Sequence, residues 1–181
     1  MAGLRQGKNL RRLLCRSRLF PKISNRPVRN SRTTPGWTRC AGNRKLCPIC
    51  PLTAEPTSTV VSEYNGFSHK ITDHVNCQSK NVIYRWRCKK PNCKDHPRNS
   101  YIGKTTATFQ QRFSQHRDYV TRGVTSEPSG DHFNQPGHSI SDLEGIVLEK
   151  VKSQDPFVLK AREHFYIQKF DSFRNGLNKE S

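Results

Sequence analysis

Two tyrosines, an arginine, a histidine and a glutamate are the residues of this chain best suited to acid–base work on a charged substrate. Tyr84 lies in Asn81-Val-Ile-Tyr-Arg-Trp-Arg87 and Tyr101 in Ser100-Tyr-Ile-Gly103. Arg112 and His116 lie in FQQRFSQH, four residues apart, so both occupy one face of a helix. Glu163 follows in AREHFYIQKF. Hydrolysis of a phosphodiester needs an activated water, a cation on the phosphate and stabilisation of the leaving oxygen. A guanidinium matches phosphate geometry, and a lone carboxylate can hold a hard divalent ion that keeps several of its waters. A tyrosine with an ordinary pKa near ~10 needs help to act as a base, and Arg112 or Lys104 can supply it. Taken singly these are weak signals. Val82-Ile-Tyr84 is also an ordinary strand, and Arg162-Glu163 also an ordinary surface ion pair worth ~0–1 kcal/mol.

A second constellation is soft. Cys88-x4-Cys93 precedes His132-x5-His138, and two cysteines followed by two histidines at short spacings form a tetrahedral zinc pattern. His96 can replace either histidine. Cys47-x2-Cys50 with His69-x4-His74 obeys the same spacing rule. A single cysteine is ordinarily a small buried hydrophobe, and Cys15 reads as a free thiol. Seven cysteines in a chain whose start has no apolar h-region argue for metal over disulfides.

These residues must be positioned by regular elements. Residues 81–87 read as a strand by their β-branched and aromatic content, 88–98 as a polar loop and 100–103 as a second strand. Thr105 or Thr106 can N-cap a helix to about Arg122 with Phe109, Phe113 and Val120 on its core side. Glu144–Val151 is a third strand, and Asp155-Pro156 starts a helix to about Phe170 using Leu159, Tyr166 and Phe170. A hairpin about Asn65-Gly66 is expected between 59–64 and 67–72. The order β-β-α-β-α is that of a small mixed domain.

Charge marks out the rest. The chain has 181 residues with 32 Lys+Arg against 14 Asp+Glu, a net charge of +18. Such a balance suits a polyanion, and nucleic acid is the usual one. Residues 1–54 hold 13 of the bases and no acid, the first being Glu55. Arg11, Arg12, Arg16, Arg18, Arg44 and Lys45 are the expected DNA-binding residues. Leu10, Leu13 and Leu14 at helical spacing give a short basic helix at about 9–20, and 21–38 reads as a linker rich in Pro, Ser, Thr, Asn and Arg. No apolar run approaches the ~20 residues of a membrane span.

Val82-Ile-Tyr84 and Tyr101-Ile-Gly103, followed by Arg112, His116, Glu163 and Gly176-Leu-Asn178, together resemble the signature of GIY-YIG nucleases over roughly residues 80–178. Val82 stands where that motif has glycine, and the 16 residues between Tyr84 and Tyr101 exceed the usual connection. The resemblance implies that Glu163 binds Mg²⁺ or Mn²⁺, that Arg112 clamps the phosphate, that Tyr84 or His116 takes the proton from water while Tyr101 orients it, and that Lys104 and Asn178 assist. The cysteine-bearing loop and the HFN..GH segment narrow the likeness to the nuclease of Penelope-like retroelements. Cys40, Cys47, Cys50 and Cys77 resemble that group's linker cysteines and make a second zinc set.

The resulting expectation is an α+β GIY-YIG-type domain with a three-stranded antiparallel sheet flanked by helices, zinc-binding loops and a basic N-terminal arm. Its divisions are 1–38 (arm and linker), 39–79 (zinc-binding linker) and 80–181 (nuclease). Its expected activity is a metal-dependent nick in DNA that primes reverse transcription at the target. The expected setting is the nucleus, with DNA, RNA and a reverse transcriptase as partners. The chain has no room for a polymerase. The alternatives are a non-catalytic zinc-containing nucleic-acid-binding module and a repair nuclease acting on branched DNA.

Overall fold

The computed structural model describes residues 34–40, 47–90, 93 and 98–179. The expected basic helix with Arg11, Arg12, Arg16 and Arg18, most of the expected linker, and Cys15, Arg44, Lys45 and His96 lie outside them. The strands are β1 (Gly36–Trp37), β2 (Thr59–Val61), β3 (Ser68–Lys70), β4 (His74–Val75), β5 (Lys80–Cys88), β6 (Ser100–Thr108) and β7 (Leu143–Lys150). The helices are α1 (Phe109–Thr121), α2 (Pro128–Phe133) and α3 (Pro156–Lys169). Among the described residues no helix is long and apolar enough to cross a membrane.

The three long strands form an antiparallel sheet in the order β6-β5-β7, as the sequence predicts. Its central strand alternates between two covered faces. Tyr84 and Trp86 point toward α1 and α2, where Trp86 packs on Phe133 at 5.6 Å and Tyr84 on Phe109 at 5.7 Å between ring centroids. Arg85 points the other way, with its guanidinium 5.5 Å from the centroid of Phe170 just beyond α3. Val82 is fully buried between Thr105 and Lys150, its cross-strand neighbours. A side chain larger than glycine is therefore accommodated at that motif position.

Several boundaries differ from expectation. β6 does not stop at Gly103; Thr105 and Thr108 stay paired with β5, as suits β-branched residues. The N-cap of α1 is thus Thr108, not Thr105 or Thr106, and Thr108 and Gln111 form a reciprocal capping box. Asp155 does cap α3, accepting from the Phe157 backbone N–H. α2 is an addition to the expected order, and Pro128 occupies its first turn, where the missing N–H costs nothing. The Asn65-Gly66 hairpin exists, but β2 and β3 end earlier than a two-residue turn requires, pairing from Thr59↔Lys70 to Val61↔Ser68.

The segment before β5 shares the core of the sheet. Trp37, expected in the linker, is 1% exposed, meets Phe109 edge-on at 5.6 Å and donates its indole N–H to the Ala54 carbonyl. Burying so large a ring outweighs the loop-like composition around it. Arg85 ties the β2–β3 hairpin to the sheet. It is 3% exposed and bonds the Glu63 carboxylate at 2.8 Å, the Val61 carbonyl at 2.9 Å and Ser100 Oγ at 2.9 Å. A buried guanidinium is tolerated only with such a full set of acceptors.

Candidate active site and metal clusters

The register of β5 against β6 sets the site. Tyr84 lies opposite Gly103 and Trp86 opposite Tyr101, so both tyrosines share the face covered by α1. The Tyr84 hydroxyl lies directly over Gly103, where an added Cβ would come within 2.5 Å of Tyr84 Oη and 2.8 Å of Tyr101 Cε1. Only glycine permits that approach. The same hydroxyl accepts from Arg112 Nε at 3.0 Å and lies 2.8 Å from His116 Nε2. The i, i+4 spacing puts both side chains on one face of α1, as the sequence suggests, and there both reach one oxygen.

Burial shapes the proton affinities. Tyr84 is fully buried, which raises its pKa above the ordinary phenol value, and Tyr101 is raised for the same reason. His116 is 1% exposed; burial and the neighbouring Arg112 charge push its pKa down to about 3. The imidazole is thus neutral at neutral pH. Burial works against the Arg112 charge too, but Tyr84 and Tyr101 beside it hold its pKa above the usual value.

Glu163 comes from α3 to the edge of β6, where Lys104 Nζ forms an ion pair with its carboxylate. Arg162 turns away from Glu163 and pairs with Glu149 at 2.6 Å. Tyr101, Lys104, Lys160, Glu163 and Asn178 line a groove of ≈ 410 Å³. Glu163 offers this groove a hard carboxylate, the donor that Mg²⁺ or Mn²⁺ takes, so the residues present fit such an ion. Asn178 lines the groove and is also tied to β6. Its amide accepts from Ile102 N–H at 3.0 Å and donates to Ile102 C=O at 2.8 Å. With Leu177 N–H bonded to Ser100 C=O at 2.8 Å, the Gly176-Leu-Asn178 run closes the outer edge of β6 and so holds the strand that carries Tyr101 and Lys104.

The described cysteines gather into two clusters. Cys88, Cys93, His132 and His138 offer one ligand atom each, all within 4.8 Å of one another; Cys40, Cys47, Cys50 and Cys77 do the same. In the first, Cys93 Sγ lies 3.4 Å from His132 Nε2. Both ring nitrogens of His138 are buried without a hydrogen-bond partner. A buried imidazole left so is costly, and a tetrahedral ion among these four side chains would satisfy it. Burial raises the thiol pKa of Cys88 and takes that of Cys93 up to about 12; zinc would supply the positive charge that keeps them as thiolates. In the second, Cys50 Sγ and Cys77 Sγ lie 3.7 Å apart. The rival pairing of Cys47 and Cys50 with His69 and His74 does not form. His69 Nε2 lies 3.0 Å from the Leu148 carbonyl and His74 Nε2 lies 3.0 Å from Thr38 Oγ1.

Residues 80–178, more than half of the chain, match the family model of the GIY-YIG catalytic domain. The chain belongs to the GIY-YIG family. Residues 80–178 thus carry the catalytic domain of the GIY-YIG nuclease superfamily, whose members depend on a metal ion. "Uncharacterized protein 019R" of Invertebrate iridescent virus 6 is 35% identical over 81 residues, which are 44% of this chain and 28% of that protein. The chain thus spans less than a third of that relative's length. No solved structure matches it.

Within the GIY-YIG domain, Tyr84, Tyr101, Arg112 and His116 come together under α1, while Lys104 and Glu163 meet at the β6 edge. Two residues of the site carry no local signal of their role. Gly103 reads in the sequence as part of a motif, whereas in the fold it is the seat of the Tyr84 hydroxyl. Ser129 places its Oγ 3.2 Å from His116 Nδ1 and 3.5 Å from the His116 carbonyl. Nothing in a Pro-Ser-Gly string signals that contact.

Proposed function

We propose that this GIY-YIG domain is a DNA endonuclease of retroelement type that nicks one strand and leaves a 3′-hydroxyl from which reverse transcription is primed. The observation that carries the cleavage reading is the Tyr84 hydroxyl held between Arg112 Nε and His116 Nε2, beside a groove bearing Glu163 and Lys104. The cysteine-bearing loop between the two tyrosines, brought onto His132 and His138, supports placing the domain with the nucleases of Penelope-like elements.

In this reading the scissile phosphate draws the Arg112 guanidinium onto itself and uncovers the Tyr84 hydroxyl. Water attacks phosphorus as its proton passes to Tyr84 Oη and the phenolic proton passes to His116 Nε2. Tyr84 stays neutral throughout, which its burial favours, and the charge gained by His116 is offset by the negative charge growing on the phosphate. Tyr101 orients the water. A divalent Mg²⁺ or Mn²⁺ on Glu163 would supply Lewis-acid charge at the phosphate and leaving oxygen. Lys104, freed from Glu163, adds its charge at the phosphate. The bond to the 3′-oxygen breaks, and that oxygen leaves with a proton taken from solvent as the hydroxyl primer. Structural zinc in the two cysteine clusters would brace the segments that carry them. The bases of residues 1–54 grip the DNA backbone without reading sequence. RNA and a reverse transcriptase are the further partners, and the nucleus is the place of action.

The test is conversion of supercoiled plasmid to open circle with Mg²⁺ or Mn²⁺. Wild type should nick, and Glu163→Ala should fall to background. Equal, background-level conversion by both proteins overturns the nuclease reading and leaves a nucleic-acid-binding module. Faster cleavage of flaps or junctions than of plain duplex overturns the retroelement reading in favour of a repair nuclease.

A further inference from the structure

We infer that Ser129 is a positioning residue for the nuclease: it fixes the tautomer of His116 so that Nε2 faces Tyr84 as an acceptor. The inference rests on the cleavage reading above and adds to it a residue outside the family signature.

The geometry of three groups carries it. His116 is 1% exposed and Ser129 is 0% exposed, so no water competes for their hydrogen bonds. Ser129 Oγ lies 3.2 Å from His116 Nδ1 and 3.5 Å from the His116 carbonyl oxygen. A backbone carbonyl can only accept, and with the serine hydroxyl turned to it the lone pair faces Nδ1. Nδ1 must then carry the imidazole proton. A neutral imidazole has one proton, so Nε2 is left as a bare acceptor 2.8 Å from Tyr84 Oη. Arg112 Nε already donates to that oxygen at 3.0 Å. The phenolic proton is therefore free to point at His116, which is the direction the proposed transfer requires. In the opposite tautomer Nε2–H and Arg112 would both donate to Tyr84 Oη, and the phenol would have no base to receive its proton.

The fold holds Ser129 in place from both sides. A Cβ at Gly130 would collide with the Val124 carbonyl oxygen, so the glycine after the serine lets α2 lie tightly on the end of α1. Asn134 Nδ2, just past α2, bonds the Val120 carbonyl of α1 at 3.1 Å. On the far side His132 belongs to the Cys88/Cys93/His132/His138 cluster. The short helix thus joins the candidate zinc cluster to the buried histidine of the active site.

The experiment is nitrogen-15 NMR of histidine-labelled full-length protein, wild type and Ser129→Ala, with single-turnover plasmid nicking and DNA affinity measured alongside. Wild-type His116 should show its proton on Nδ1. Ser129→Ala should move part or all of the population to the Nε2-protonated form and slow nicking by about tenfold or more, a loss of the size expected from weakening general-base chemistry. DNA affinity should stay within about twofold, because Ser129 lies outside the groove. Ser129→Thr, which keeps the hydroxyl, should restore the wild-type tautomer. A wild-type proton on Nε2, or an unchanged tautomer or nicking rate in Ser129→Ala, overturns the inference. Should Ser129→Ala not fold, the wild-type tautomer decides alone. If wild type fails to nick, the nuclease reading falls by itself, and the spectrum still decides whether Ser129 sets the tautomer.

Discussion

Replacing Gly103 by alanine puts one carbon where the Tyr84 phenol now lies. The new Cβ would sit 2.5 Å from Tyr84 Oη and 2.7 Å from Cζ, whereas ordinary contact begins near 3.4 Å. The phenol must therefore retreat by about 0.9 Å, the difference between those two distances. Its hydrogen bonds to His116 and Arg112, at 2.8 and 3.0 Å, cannot both survive such a shift. Overpacking a core costs about 1–3 kcal/mol, and a buried partner left unsatisfied costs about 1–3 kcal/mol more. A displacement of roughly 1 Å at a reacting group lowers a rate on the order of a hundredfold. Gly103→Ala should thus lower the thermal midpoint by several degrees, at about 2–4 °C per kcal/mol for a domain of this size. It should cut single-turnover nicking by about a hundredfold and leave DNA affinity nearly unchanged, since Gly103 does not line the groove. Nicking within about threefold of wild type by a folded Gly103→Ala protein would refute the placement of Tyr84 in the chemistry.

Other perturbations test separate parts of the molecule. Metal analysis of protein expressed with ample zinc should give two equivalents of zinc per chain, and Cys93→Ser should remove one; less than one equivalent in wild type rules out both clusters as zinc sites. His116 is held neutral with a pKa near 3 against 6.5 for the free side chain. Its contribution to stability is complete above pH 6.5, because the unfolded chain takes up the proton first as the pH falls, and it is lost progressively between pH 6.5 and 3. Comparing denaturant unfolding of wild type and His116→Gln between pH 7 and 4 should show a difference on the order of a few kcal/mol shrinking with acid; a constant difference contradicts the buried neutral state. Substituting Arg11, Arg12, Arg16 and Arg18 together by alanine should flatten the slope of log affinity for DNA against log salt by up to about 3–4; an unaltered slope removes those bases from the backbone contacts.

Much of the site could be read from the chain because its residues sit on elements with strong local signals. Arg112 and His116 converge on one oxygen because four residues are one turn of helix, and Asp155-Pro156 starts α3 as its residue types dictate. Tyr84 and Tyr101 share a face because two strands with β-branched residues pair in one register. Legibility failed wherever a non-local contact decided. Trp37 lies in a polar string that composition assigns to a linker, yet its ring is buried against Phe109, 72 positions later. The resemblance gives Glu163 a metal, and nothing in AREHFYIQKF says that its ion-pair partner is Lys104 and not the adjacent Arg162. The zinc rivals obey one spacing rule; what separates them is where His69 and His74 point, toward a carbonyl of β7 and a threonine beside β1.

The long connection between the two tyrosines shows how an apparent departure from the family pattern is absorbed. β5 and β6 pair from Lys80↔Thr108 to Arg87↔Ser100, so the added residues extend the hairpin beyond the catalytic pair and do not shift its register. Here Cys88 and Cys93 at the tip meet His132 and His138, which follow α1 in the chain. A metal there would brace the tip against α2, and α2 in turn carries Ser129 to His116. Stripping that metal should then act at two distances: loosening the loop, and releasing the histidine that receives the proton. An activity loss on chelation that is accompanied by a change of His116 tautomer would separate this coupling from mere unfolding. Loss of activity with the tautomer intact would confine the cluster to a role in stability.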